Sequence, residues 1–133
     1  MFTHVLSIVA AAIAMFALGS VWYSPVLFAA AWMREAGIDP SKKPDSKAML
    51  RTFGGTFALL LLSAAVLDCI LVSWTPGQGM THGLSVGLLG GVLAAATTAI
   101  NYLFECKSPK LFLINAGYDV IGFCLMGLVL SLF

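Results

Sequence analysis

The stretch ALLLLSAAVL, residues 58–67, decides the fold. It contains one polar side chain, Ser63, and shows no alternation of polar and apolar positions. A strand of a membrane β-barrel alternates in that way and ends at a turn about every ten residues, so the pattern favours an α-helix. A second run, Leu88 to Ala96, has the same character. We therefore predict an all-α protein.

The rest of the chain is also strongly apolar. Of its 133 residues, 60% are hydrophobic and 10% are charged, whereas a soluble domain has roughly 45–50% and about 25%. Seven Lys and Arg against six Asp and Glu give a net charge of +1, which leaves no basic face for nucleic acid. The composition excludes a soluble enzyme, a disordered tail and a nucleic-acid binder, and it indicates a polytopic membrane protein that lies in the lipid bilayer.

Four apolar segments are each long enough to cross the bilayer, which takes about 20 helical residues. They cover approximately residues 4–23, 47–73, 81–105 and 109–132, within a single membrane domain of residues 1–133. The connection between the second and third segments, residues 74–80, is expected to be a short outer turn.

All basic residues fall on one side of these four segments. Lys and Arg in short loops are retained in the cytoplasm, so the bias predicts a multi-pass protein of the bacterial inner membrane with both termini outside. No Lys or Arg precedes Arg34, so the first segment lacks the basic start of a signal peptide and is expected to be retained. The basic residues are Arg34, Lys42, Lys43, Lys47 and Arg51 around the first connection and Lys107 and Lys110 around the third.

The first apolar segment continues through Met33 and would form a helix of about 45 Å, too long for one span. Pro25 is expected to break it, with Ser24 capping a second helix in which Pro25 is the first residue. This predicts a short cytoplasmic interfacial helix over about 25–36, ended by Gly37. Its aromatic rings suit the headgroup layer, which defines an interfacial motif of Trp22, Tyr23, Ser24, Pro25 and Trp32.

The Ser-Pro pair recurs at Ser108-Pro109. The residues after it also match, since Pro25-Val-Leu-Phe28 corresponds to Pro109-Lys-Leu-Phe112. An old duplication and chance both explain the similarity in so apolar a chain. In either case we expect both serines to cap the helix that follows.

A small-residue stripe runs along the third span at every fourth position. Small residues allow helix backbones to approach closely in lipid. The stripe is explained equally by packing within one bundle and by an interface between protomers, and the second explanation predicts a homo-oligomer. Its members are Gly83, Gly87, Gly91, Ala95 and Ala99.

Polar side chains lie inside the predicted spans. Asp119 is eleven residues past Ser108, about 16 Å into the bilayer and close to its midplane. The third and fourth spans are joined by a short loop and should be antiparallel neighbours, which brings their polar positions to similar depths. Arg51 is the cation expected to reach Glu105. The predicted cluster consists of Asp119, Glu105, Asn101, Asn115, Tyr118 and Arg51, with Tyr102 beside it.

Three functions remain open for these residues. The cluster either fixes helix register in a non-enzymatic, homo-oligomeric or accessory membrane protein, which we favour, or forms the proton site of a small-solute carrier or channel centred on Asp119. A third alternative is a haem or metal held by the outer residues His4, His82 and Asp68. No catalytic motif and no cysteine pair with metal-binding spacing is present, so no cofactor is predicted and an enzyme is not favoured.

Two groups of residues occur in a distinctive order: Trp22-Tyr23-Ser24-Pro25 with Leu27, Phe28 and Trp32, then Phe104-Glu105, Lys107-Ser108, Leu113-Ile114-Asn115 and Gly117-Tyr118. This pattern resembles the bacterial family catalogued as domain of unknown function 1761, over nearly the whole chain. The resemblance implies a small four-span membrane protein and brings no established activity. Members are expected to have Gly near position 29, where this chain has Ala29.

Overall fold

The computed structural model describes residues 1–74 and 79–133. Within these residues the chain forms five α-helices and no strand. The helices are α1 (Phe2–Trp22), α2 (Ala29–Ala36), α3 (Ser46–Trp74), α4 (Gly79–Phe104) and α5 (Pro109–Leu130).

The prediction of an all-α protein with four spans is confirmed. Helices α1, α3, α4 and α5 are long and apolar enough to cross a membrane, and their ends lie within two residues of the predicted ones. Of the predicted outer turn at 74–80, residues 75–78 lie outside the described residues.

The four long helices form an antiparallel bundle. Helix α5 packs against α4 on one side and α1 on the other, while α3 packs mainly on α1 and only sparsely on α4. Met126 is fully buried in the core, together with Ala11, Ala12 and Ala64. All seven basic residues lie at the end of the bundle where α1 and α4 finish, which we call the basic end; Met1 and Phe133 lie at the opposite, terminal end.

The small-residue stripe packs within the chain, on α5. A side-chain carbon added at Gly87 would overlap the carbonyl oxygen of Phe123, and one added at Gly91 would lie 2.7 Å from the Cα of Val120. Glycine is required at these positions because the two backbones are in contact. Of the two explanations for the stripe, packing inside one bundle is therefore the one that this structure supports.

The short helix begins later than predicted. It starts at Ala29 rather than Pro25, and Gly37 ends it in the left-handed conformation at φ 71°. Ser24 does not cap this helix: its hydroxyl donates to the carbonyl of Val21 at 2.6 Å, and its own carbonyl accepts from the amides of Leu27 and Ala29. Residues 24–28 form turns, so the expectation for Ser24 was wrong.

Ser108, in contrast, caps α5 as predicted. Its hydroxyl oxygen accepts from the amide of Leu111 at 3.1 Å, and Pro109 is the first helical residue. The difference from Ser24 is that Ser108 itself has an extended backbone, with ψ 147°, as a capping residue requires, whereas Ser24 continues directly from the last turn of α1.

The connection from α2 to α3 is polar and exposed. Its Asp39 carboxylate accepts hydrogen bonds from the hydroxyl and the amide of Ser41, at 2.7 and 2.9 Å. These two bonds favour the charged form and hold the pKa of Asp39 below its usual range. A local turn of this kind needs no support from the bundle.

Candidate functional site

A chain of three polar side chains joins three parts of the molecule near the basic end. Tyr23, which follows α1, donates its hydroxyl hydrogen to the Asn115 side-chain oxygen of α5 at 2.7 Å. The Asn115 amide nitrogen donates to the Tyr102 hydroxyl of α4 at 2.6 Å. We call Tyr23, Asn115 and Tyr102 the polar network. Because each bond crosses between helices, the network fixes their relative positions.

Trp22 holds Tyr23 in place. The indole nitrogen of Trp22 donates to the Ile114 carbonyl of α5 at 2.9 Å, and its ring lies over Gly117, where an added carbon would be 3.1 Å from it. The Phe28 ring lies 4.9 Å from the Trp22 ring on the other side. Trp22 and Tyr23 are thus half-buried and connect α1 to α5. Their rings were expected from the sequence to lie in the headgroup layer, and this role was not predicted.

Aromatic rings surround the network. The Tyr23 ring makes edge contacts at 5.4 Å with both Trp32 of α2 and Tyr118 of α5. Tyr118 lies over Gly19 of α1 and donates to the Met15 carbonyl at 3.3 Å. The predicted members Asn115 and Tyr118 therefore lie together, and Trp32 joins them.

Asp119 lies one helical turn deeper than Asn115 on the same face of α5. It is half-buried, and Thr98 of α4 lies near its carboxylate at a long 3.5 Å. Its carboxylate is also close enough to the Tyr23 and Tyr118 hydroxyls to interact electrostatically. Among the described residues, no Lys, Arg or His lies within ion-pair distance of it.

Three predicted members lie apart from this site. Asn101 and Glu105 are on α4 or just after it, and Arg51 is on α3; all three are exposed. The expected pair between Arg51 and Glu105 is not formed. Residues 46–56 of α3, which include Arg51, are all exposed, and α3 as a whole packs mainly on α1 and only sparsely on α4.

A second carboxylate lies at the start of α5, at the basic end. The Ser108 hydroxyl donates to Glu35 of α2 at 2.6 Å, which places a negative charge at the N-terminus of α5. An acid there is favoured by the helix dipole and by the free amides of the first turn. Glu35 thereby attaches α2 to α5.

Two of the three outer polar residues, His4 and Asp68, are in contact. His4 of α1 and Asp68 of α3 form a hydrogen bond of 3.0 Å between Nδ1 and Oδ2 near the terminal end. His82 lies at the start of α4 and is half-buried. In the described part of the chain, no three His, Cys, Asp or Glu side chains come together as a metal site requires. The haem or metal alternative therefore gains no support from this arrangement.

Sequence reasoning missed the inward role of Tyr23 and Trp22, and it missed Thr98 and Glu35. One signal was available for Thr98, because Thr98 and Tyr102 follow the small-residue stripe at helical spacing and share its face. Nothing in the sequence pointed from Glu35 to Ser108, which are 73 positions apart.

The fold and the site define a small helical membrane protein with hydrogen-bonded polar side chains between its helices and one half-buried acid, Asp119, that has no cation partner in the described chain. The chain belongs to the family described as "Protein of unknown function (DUF1761)", whose model matches residues 6–131. This confirms the resemblance inferred from the sequence. No curated protein and no solved structure matches the chain.

Proposed function

We propose that the protein is a small proton-binding membrane protein in which Asp119 takes up and releases the proton. The observation that carries the proposal is the position of Asp119, which faces the bundle interior yet, among the residues that the structure describes, has no cation partner and one long polar contact, with Thr98. Asn115, in contrast, has both of its polar atoms paired. Asp119 is therefore the group whose bonding is left incomplete.

The cost of an isolated charge supports this assignment. A carboxylate at the bilayer centre costs about 2.5–3.5 kcal/mol on insertion scales. A bound proton or a bound cation removes that cost. Because the polar network lies between Asp119 and the basic end, its hydroxyl and amide groups provide the polar surroundings for exchange on that side.

Infrared spectroscopy of the protein in lipid tests the proposal. Acidification is expected to produce the carbonyl band of a protonated carboxylic acid that Asp119→Asn lacks. Glu105→Gln is the control, since it removes an exposed acid that lies just after α4, away from the site, and it should retain the band. A spectrum in which Asp119→Asn leaves the band unchanged contradicts proton binding at Asp119.

Transport is tested in liposomes that contain the purified protein. An imposed pH gradient should drive proton flux that Asp119→Asn abolishes while Glu105→Gln preserves it. If Asp119 titrates but no flux occurs, the protein binds protons without carrying them, and the carrier form of the proposal is wrong.

The proposed location is the bacterial inner membrane with both termini outside. The charge distribution supports it, since all seven Lys and Arg lie at the basic end and basic loops are retained in the cytoplasm. Asp119 would then exchange protons with the cytoplasm.

A homo-oligomeric or accessory role is the second candidate. It is supported by Asn101, whose amide is exposed on α4 within a predicted span. An amide in lipid favours a partner helix that can bond to it. Cross-linking in native membranes should give dimers or larger species that Asn101→Leu weakens, and a monomer under all conditions would exclude this role.

A further inference from the structure

We infer that the Asp119 site takes a lipophilic organic cation, which enters from the bilayer between α3 and α4. This inference rests on the proposed proton site, since proton and cation would share one carboxylate. Three features carry it: the direction in which Asp119 points, the groups around it and the opening beside α3.

Asp119 points into the bundle. It is seven residues, or two turns, before Met126 on the same face of α5, and Met126 is fully buried. Asp119 is only half-buried although it shares that direction. Part of the Asp119 surface is therefore accessible from outside the bundle, whereas Met126 is enclosed.

The opening arises from α3. Its residues Leu60, Ala64 and Leu67 are buried in the core, but residues 46–56 before them are exposed. In this exposed segment Phe53 contacts Phe16 of α1, with ring centroids 6.2 Å apart. Phe16 is next to Met15, which contacts Tyr118, so Phe53 lies at about the depth of Asp119. Because α3 is exposed in this segment and packs mainly on α1, we take it to leave the α4 side uncovered there.

The groups around Asp119 suit a single cation with an apolar body. One carboxylate supplies the charge, the Thr98 hydroxyl lies 3.5 Å from it, and the aromatic side chains of Tyr23 and Tyr118 are near it. Aromatic rings attract cations. A bare divalent ion needs six or more oxygen ligands. Such a set is not gathered here in the described chain.

The pH dependence follows from the shared carboxylate. The titratable groups near Asp119 are Tyr23 beside α2, Tyr102 of α4 and Tyr118 of α5, and tyrosine ordinarily titrates near pH 10. In the described residues of α3, no charged group is paired with Asp119. Acidification should therefore weaken cation binding through Asp119 alone, because protonation removes the charge that pairs with the ligand.

The experiment is equilibrium binding of tetraphenylphosphonium to the purified full-length protein in detergent micelles. The wild type should bind, and Asp119→Asn should lose about tenfold or more in affinity, equivalent to the loss of one charge contact. Glu105→Gln should bind as the wild type does. Tyr118→Leu should weaken binding and Tyr118→Phe should restore most of it, because phenylalanine retains the ring face.

Thermal unfolding checks that each variant is folded. If Tyr118→Leu is unstable, the binding affinities of Asp119→Asn, Glu105→Gln and Tyr118→Phe are still compared with that of the wild type. Binding that is unaffected by Asp119→Asn, or no binding by a folded wild type, overturns the inference. If the infrared band of Asp119 appears without any tetraphenylphosphonium binding, the proton site stands and the cation site is wrong. If the band is absent, the proposed function itself fails.

Discussion

Asn115 makes two side-chain hydrogen bonds to other parts of the bundle. Its side chain accepts from Tyr23 and donates to Tyr102, so one amide connects the end of α1, α5 and α4. In lipid, where apolar contact alone gives helices little reason to associate, such bonds set the register between them. Removal of the Asn115 side chain also takes this hydrogen-bond partner from the hydroxyls of Tyr23 and Tyr102.

Asn115→Ala is predicted to destabilise the protein by about 1–2 kcal/mol, since an interhelical hydrogen bond in a membrane protein is worth about 0.6 kcal/mol on average and at most about 1.7. Asn101→Ala is the matched control, because Asn101 is exposed on α4, and it should change stability little. Unfolding in SDS followed by circular dichroism measures both. Equal effects of the two variants would show that the polar network is not stabilising.

The two Ser-Pro pairs allow a second comparison between single residues, Ser108 and Ser24. Ser108→Ala should cost about 1 kcal/mol, because it removes the cap of α5 and the bond to Glu35. Ser24→Ala removes one bond to the Val21 carbonyl in an exposed turn and should cost less. The same unfolding measurement compares them. A larger loss from Ser24→Ala would contradict the assignment of the cap to Ser108 alone.

Among the helices, α4 and α5 form the closest pair. Gly83, Gly87 and Gly91 bring the α4 backbone into contact with residues 119–127 of α5. Helix α3 is different, because Gly54 and Gly55 have no atom within 4 Å of an added side-chain carbon. The two sets of glycines therefore have different consequences when they are replaced.

Gly87→Ala is predicted to destabilise the protein by about 1–3 kcal/mol, the usual cost of overpacking, because the added carbon meets the Phe123 carbonyl. Gly54→Ala is the control and should be neutral or stabilise by about 0.5–1 kcal/mol, since alanine is the better helix former. Thermal unfolding in detergent tests the pair. Stabilisation by Gly87→Ala would mean that α4 and α5 are farther apart than described.

The sequence was sufficient for the four long helices, because long apolar runs with polar, Pro or Gly residues at their ends determine where they lie, but it placed the start of α2 four residues too early, at Pro25 instead of Ala29. Of the two side chains that bond to Asn115, only Tyr102 could be expected from the sequence. Tyr102 follows from the antiparallel pairing of α4 and α5, but the direction of Tyr23 depends on the turn at 24–28 and on Trp22 bonding to Ile114. The Arg51–Glu105 pair was wrongly expected for a similar reason. The tilt of α3 is set by its packing on α1, and the spacing of residues in the sequence does not show that tilt.

At the scale of the whole molecule, the ends of the bundle differ in chemistry. The basic end has all seven Lys and Arg, and the polar network and the Glu35–Ser108 bond lie toward it. The terminal end has the pair between His4 and Asp68. Polar groups reach Asp119 from the basic end, whereas beyond it the interior is filled by Met15, Gly122 and Met126. A proton would therefore reach Asp119 from one side of the membrane.

Which side that is can be measured with the protein's own cysteine. Cys106 is exposed beside Lys107 at the basic end, while Phe133 is exposed at the terminal end. With Cys69 and Cys124 replaced by Ala, a membrane-impermeant maleimide should label Cys106 only after intact cells are permeabilised, because basic loops are retained inside. In a variant with Cys106→Ala as well, Phe133→Cys should be labelled in intact cells. The reverse pattern would place the basic end outside, and Asp119 would then exchange protons with the exterior.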